Sequence, residues 1–118
     1  MTSAVALAPA GVALSGNASW VRSREGARTV LTVDGELDSA SAGAVAAALA
    51  AVGADGCDVV VDMTRVDFID LSGLDALIRA HRLFEILGLS LTVRAPSRPV
   101  RHMLGVYQRE DLISPGER

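Results

Sequence analysis

Residues 57–87, CDVVVDMTRVDFIDLSGLDALIRAHRLFEIL, change period midway, and that change decides the fold class. Val59, Val60 and Val61 run consecutively, as in a strand buried on both faces, so Cys57–Met63 reads as a central strand. Further on, Leu74, Leu77, Ile78, His81, Phe84 and Leu87 recur at helical spacing and predict an amphipathic helix that Gly88 closes. A strand feeding a helix is half of a βαβ unit, whose strands are parallel because only a crossover can join them.

Beyond this unit, Leu89, Leu91 and Val93 alternate with Ser90, Thr92 and Arg94 as a further strand. A last helix is expected over about Ser97–Tyr107. Upstream, Ala18–Arg24 and Arg28–Asp34 form a hairpin around Glu25-Gly26-Ala27, with Thr29, Leu31 and Val33 on one face. Gly35-Glu36-Leu37-Asp38 breaks that alternation. Asp38, Ser39 or Ser41 then caps a helix running to Ala54, with Ala40, Ala44, Val45, Leu49 and Val52 as a narrow apolar stripe.

The expected fold is therefore α/β: an open four-stranded, mostly parallel sheet with an antiparallel N-terminal hairpin strand, in the order ββαβαβα. Right-handed crossovers place consecutive strands side by side with the connecting helices on one face. The loops after Val33 and after Phe68 then leave from the same carboxyl edge, making Asp38 and Asp70 neighbours in space. The expected organisation is a flexible tail over residues 1–16, one domain over 17–113 and a short tail over 114–118.

Composition narrows the function. The chain has 118 residues, 50% of them hydrophobic but only 3% aromatic, so Val, Leu, Ile and Ala must build the core. Eleven basic against fourteen acidic residues give a net charge of -3 with no Lys/Arg cluster, which argues against nucleic acid as a partner. Ser39–Ala54 is uncharged but too short and too rich in Gly and Ala for a bilayer span, and no basic residue precedes Arg22 to form a secretory n-region. Cys57, the single cysteine, has no partner for an internal disulfide and reads as a small buried apolar residue in a reducing compartment. A soluble cytoplasmic protein, with no membrane contact, is expected.

The place where chemistry could reside is the turn Asp70-Leu71-Ser72-Gly73. It opens a helix, so its first backbone N–H groups lack intrahelical partners and sit at the positive end of the helix dipole. Ser72 is a candidate N-cap, and Asp70 could accept from the same turn. Ser72, His81 or His102, and Asp70 supply the residue types of a hydrolase triad. There is no Gly-x-Ser-x-Gly elbow, however, and His81 lies on the apolar stripe. The histidines are not spaced as a metal pair, and neither a Gly-x-Gly-x-x-Gly nor a P-loop sequence occurs, so no cofactor and no enzyme activity are expected.

The stretch from Val59 to Leu74 resembles the signature of STAS domains, the sulfate-transporter and anti-sigma-factor-antagonist family. Gly35-Glu36-Leu37-Asp38 and the segment Leu91–Leu104 fall where that family has its second loop and third helix, and the likeness covers about Ser19–Leu112. The resemblance implies a bacterial regulator of transcription that works by partner switching. It would bind an anti-sigma factor with a histidine-kinase-like ATP-binding fold and release the sigma factor. In that family the partner phosphorylates the residue directly after the turn aspartate, and a metal-dependent serine phosphatase reverses the transfer. Here that residue is Leu71, which has no hydroxyl.

Three readings are open: no phosphorylation at this turn, transfer to Ser72 as the candidate phosphoacceptor, or another modification or ligand there. The expected partner-binding face comprises Asp38, Ser39, Asp70, Leu71, Ser72 and Gly73 with Asp75, Arg79 and Arg82 of the adjoining helix. The alternatives are a non-catalytic STAS subunit of a transporter ATPase or sensory assembly and, behind it, a small-ligand sensor using the helix end.

Overall fold

The structure, a computed structural model, describes residues 6–7 and 12–117. Six strands form one sheet in sequence order: β1 (Ala6–Leu7), β2 (Ala13–Ser15), β3 (Ala18–Glu25), β4 (Arg28–Leu37), β5 (Val59–Ile69) and β6 (Leu91–Arg94). The first four are joined antiparallel; β4, β5 and β6 run parallel. Helices α1 (Ala42–Ala54) and α2 (Leu71–Ile86) make the two crossovers, and α3 (Arg98–Val106) comes after β6. The α/β class and the parallel β4–β5–β6 core are as expected, while the sheet as a whole is mixed, three of its five pairings being antiparallel.

The strand count is not. The expected N-terminal tail supplies β1 and β2, because Ala13–Ser15 pairs with β3 through Ala13↔Trp20 and Ser15↔Ala18. Ala13 and Ser15 are buried there, and the Ser15 hydroxyl donates to the Ala40 carbonyl at 3.2 Å. The expected flexibility of residues 1–5 and 8–11 lies outside the described residues. At the other end the expected C-terminal tail is also engaged. The Ser114 N–H donates to the Val93 carbonyl at 2.8 Å, and the Glu117 carboxylate accepts from the Ala95 N–H at 2.7 Å.

The two central strands run further than their alternation signals. Between Thr32↔Asp62 and Asp34↔Arg65, β5 carries one extra residue, and a second enters between Gly35↔Val66 and Glu36↔Phe68. Each bulge flips the faces of the residues after it, so residues 64–69 lose the period of two while staying paired. Gly35, read as the end of β4, instead sits inside it at φ +98°. A Cβ there would strike the Asn17 carbonyl, which accepts from the Glu36 N–H at 3.0 Å.

The core lies between the sheet and the helices. Leu31, Val33, Val61, Met63 and Val93 of the sheet meet Leu49, Leu77, Phe84, Val100 and Leu104, all of them buried. The α1 stripe differs from the expected one at its ends: Ala42, Val45, Leu49, Val52 and Gly53 are buried and Ala44 is half-buried, but Ala40 precedes the helix and is exposed. On α2 the stripe ends one turn early, since Leu87 is half exposed. Cys57 is half-buried against the core edge, with an Arg24 guanidinium N–H at 3.5 Å from its sulfur.

Away from the core, Arg94 pairs with Glu25 at 3.0 Å and with Asp62 at 3.5 Å, and Arg28 also reaches Glu25 at 2.7 Å. Hydrogen bonds from Arg28 and Arg94 hold the Glu25 carboxyl below its ordinary pKa. Burial raises that of Asp62, but hydrogen bonds from Thr64 and the Arg94 charge outweigh it, and the net shift is downward.

Candidate functional site

β4 and β5 end together, with Leu37 opposite Ile69, and the Asp70 N–H donates to the Leu37 carbonyl at 3.3 Å. The turns that leave these strands are therefore side by side, as the parallel pairing requires. Asp38 and Ser39 stand at the first turn and Asp70, Leu71, Ser72 and Gly73 at the second.

The first turn is held by its own side chains. Ser41 occupies the N-cap position of α1 but makes no side-chain cap; its hydroxyl donates to the Glu36 carbonyl at 2.8 Å and accepts from the Asp38 N–H at 3.1 Å. The Asp38 carboxylate accepts from the Ala40 N–H at 3.0 Å. Asp38 is half-buried and Ser39 exposed.

The second turn corrects the Ser72 cap expectation. Asp70 is the N-cap of α2, in extended conformation, and its carboxylate accepts from the Gly73 N–H at 3.0 Å. Its preference over Ser72 is geometric: the capping residue must precede the helix with non-helical backbone, and α2 already begins at Leu71. Ser72 is thus a first-turn residue with an exposed side chain. Gly73 is fixed by close approach, since a Cβ there would collide with the Leu37 carbonyl and lie 2.9 Å from the Leu37 Cγ. The helix start is pressed onto the end of β4, and Leu71 is turned outward, 57% exposed.

Ser72, Asp75 and Arg79 line one wall of a shallow groove of about 180 Å³, and Ala42, Gly43 and Ala46 of α1 line the other. Asp75 and Arg79 pair across one helical turn at 2.8 Å with both side chains in solvent. Arg82 is exposed, and of the nine expected residues it is the one that stands neither at the two turns nor on the groove. A larger cleft of about 350 Å³ is lined by Arg101, Glu110, Asp111 and Ile113, and none of the expected residues lines it. One exposed residue at the carboxyl edge escaped the sequence reading: Phe68, 47% exposed, whose outward position is set by the second bulge.

The Asp70 carboxylate is engaged with the helix start, and His81 faces Glu85 on its own helix at 3.7 Å. Among the described residues no group of three or more His, Cys, Asp or Glu side chains could hold a metal ion, and no helix is long and apolar enough to cross a membrane.

No curated protein matches the chain. Solved structures do. The anti-sigma factor antagonist SpoIIAA in its unphosphorylated form superposes with a TM-score of 0.71 at 17% identity, covering 80% of this chain and 85% of that one. An anti-sigma factor antagonist from Mycobacterium paratuberculosis gives 0.71 at 23% identity over 81% and 82%. The murine Slc26a9 anion transporter gives 0.64 at 20% identity, over 80% of this chain but only 17% of the transporter. Residues 20–114 match the family model described as Mlab, STAS domain. With that span matched, the chain belongs to the STAS domain family.

Proposed function

We propose that this protein is a non-catalytic regulator of the anti-sigma-factor-antagonist type, which docks through the carboxyl edge of β4 and β5 onto an anti-sigma factor with a histidine-kinase-like ATP-binding fold. The observation that carries the reading is Leu71. It holds the position where the resembling family has its acceptor hydroxyl, yet the cap beside it is intact and its side chain is exposed. An apolar side chain at an exposed turn contributes about 1.5–3 kcal/mol when a partner buries it fully. A phosphate there would bring nearly two strongly hydrated negative charges to a spot that an apolar partner pocket must strip of water. The protein is thus a permanently available binder, with no switch at this residue and no need of a phosphatase to reset it.

Titration calorimetry with each purified ATP-binding anti-sigma factor of the source genome tests this. A saturable complex with one of them is expected. Absence of binding to all of them, with a transporter ATPase or a sensory complex co-purifying at stoichiometric level, would establish the second reading. That reading draws support from the Slc26a9 match, in which the same fold is a small part of a much longer chain.

A further inference from the structure

Four aromatic side chains occur in the chain, and the two phenylalanines have opposite fates: Phe84 is fully buried, Phe68 is 47% exposed. Phe68 stands three residues before Leu71, at the end of β5, so two of the larger exposed apolar side chains emerge at one edge. The exposure of Phe68 is built in by the backbone. The bulge between Gly35 and Glu36 sets Phe68 opposite Glu36 and leaves Ile69 to enter the core.

Along the chain beside this pair carboxylates predominate. Residues 36–54 and 66–78, which form the two turns and the helix starts, carry Glu36, Asp38, Asp67, Asp70 and Asp75 and no Lys or Arg. The cations next along the chain are engaged, Arg65 with Asp34 at 3.6 Å and Arg79 with Asp75 at 2.8 Å. We infer that Phe68 and Leu71 form the apolar centre of an acid-rimmed docking surface, whose occupant is a protein surface with a basic rim around an apolar slot. Aromatic anchors surrounded by polar rims are the usual arrangement of binding hot spots, and complementary charge guides the approach. This inference rests on the reading of the carboxyl edge as the docking face and adds Phe68 and the partner's charge to it.

Two measurements separate this claim from the anti-sigma reading. In the first, an amide NMR titration of the full chain uses a helical Leu/Lys peptide and its Leu/Glu counterpart as probes. The Leu/Lys peptide should shift amides of residues 36–38 and 67–72, the Leu/Glu peptide should not, and Phe68→Ala or Asp67→Lys should weaken the Leu/Lys interaction at least about tenfold. In the second, the same variants are titrated with the anti-sigma factor that binds wild type. Peptide shifts localised at this edge without any anti-sigma binding would keep the surface and remove the anti-sigma reading. Shifts centred on Leu83–Leu87, equal binding of both peptides, or unchanged binding by both variants would overturn the surface.

Discussion

Among single residues, those of the turn 70–73 divide their tasks between neighbours. Asp70 caps, Gly73 permits contact with β4, and Leu71 is left facing outward. Asp70→Ala removes a cap worth about 1 kcal/mol, readable as a lower urea midpoint with unchanged slope. Gly73→Ala should cost more, about 1–3 kcal/mol, because the added methyl meets the Leu37 backbone, which cannot yield as a flexible side chain would. These two variants affect folding, whereas Leu71→Asp should leave the melting temperature nearly unchanged and weaken partner binding, because the apolar contact is lost and a carboxylate would have to be desolvated in its place. An equal loss of stability in Leu71→Asp would show that Leu71 serves the fold. The role of Gly73 was not legible in the sequence: nothing in residues 70–73 reports that Leu37 lies against them.

Among the elements, α2 was legible nearly to the residue because its apolar stripe from Leu74 to Phe84 is long and periodic. By contrast, β4 and β5 were read short. Their bulges break the alternation that marks a strand, and a glycine required by the nearby Asn17 carbonyl looked like a terminator. β2 was missed for a related reason: a strand of three residues has too few positions to show a period. The neighbourhood of Asp38 and Asp70 was foreseen because it depends only on parallel pairing, which the helical crossovers dictate. The exposure of Phe68 was hidden, since it depends on the bulge. The exposed face of α2 gives a prediction of its own. Reversing the charge of Asp75 or Arg79 breaks a solvent-exposed pair, so stability should change by no more than about 0.5 kcal/mol while partner affinity falls. Paired urea melts and calorimetric titrations of each variant decide whether the two effects separate.

Across the whole molecule, one core joins all the layers, and ion pairs tie distant strands across the sheet. Glu25, Asp62 and Asp111 are each held below their ordinary pKa values. Carboxyls lowered in the folded state add stability above their unfolded pKa values, and that contribution is lost as pH falls through the folded ones. Stability should therefore decline as pH drops from about 5 through the acid range, and Arg94→Met should flatten the decline. Urea melts at a series of pH values measure this; a decline of the same depth in Arg94→Met would show that other groups govern acid unfolding. In the regulatory role proposed above, availability is what matters: a leucine at the acceptor position would leave the docking edge open to a partner at all times. Intact-mass spectrometry of the wild type after incubation with ATP and the anti-sigma factor proposed as its partner, with binding measured on the same sample, is the direct test. An unmodified chain that binds fully is predicted, with Leu71→Ser acquiring a phosphate under the same conditions; a stoichiometric phosphate on wild-type Ser72 that abolishes binding would contradict it.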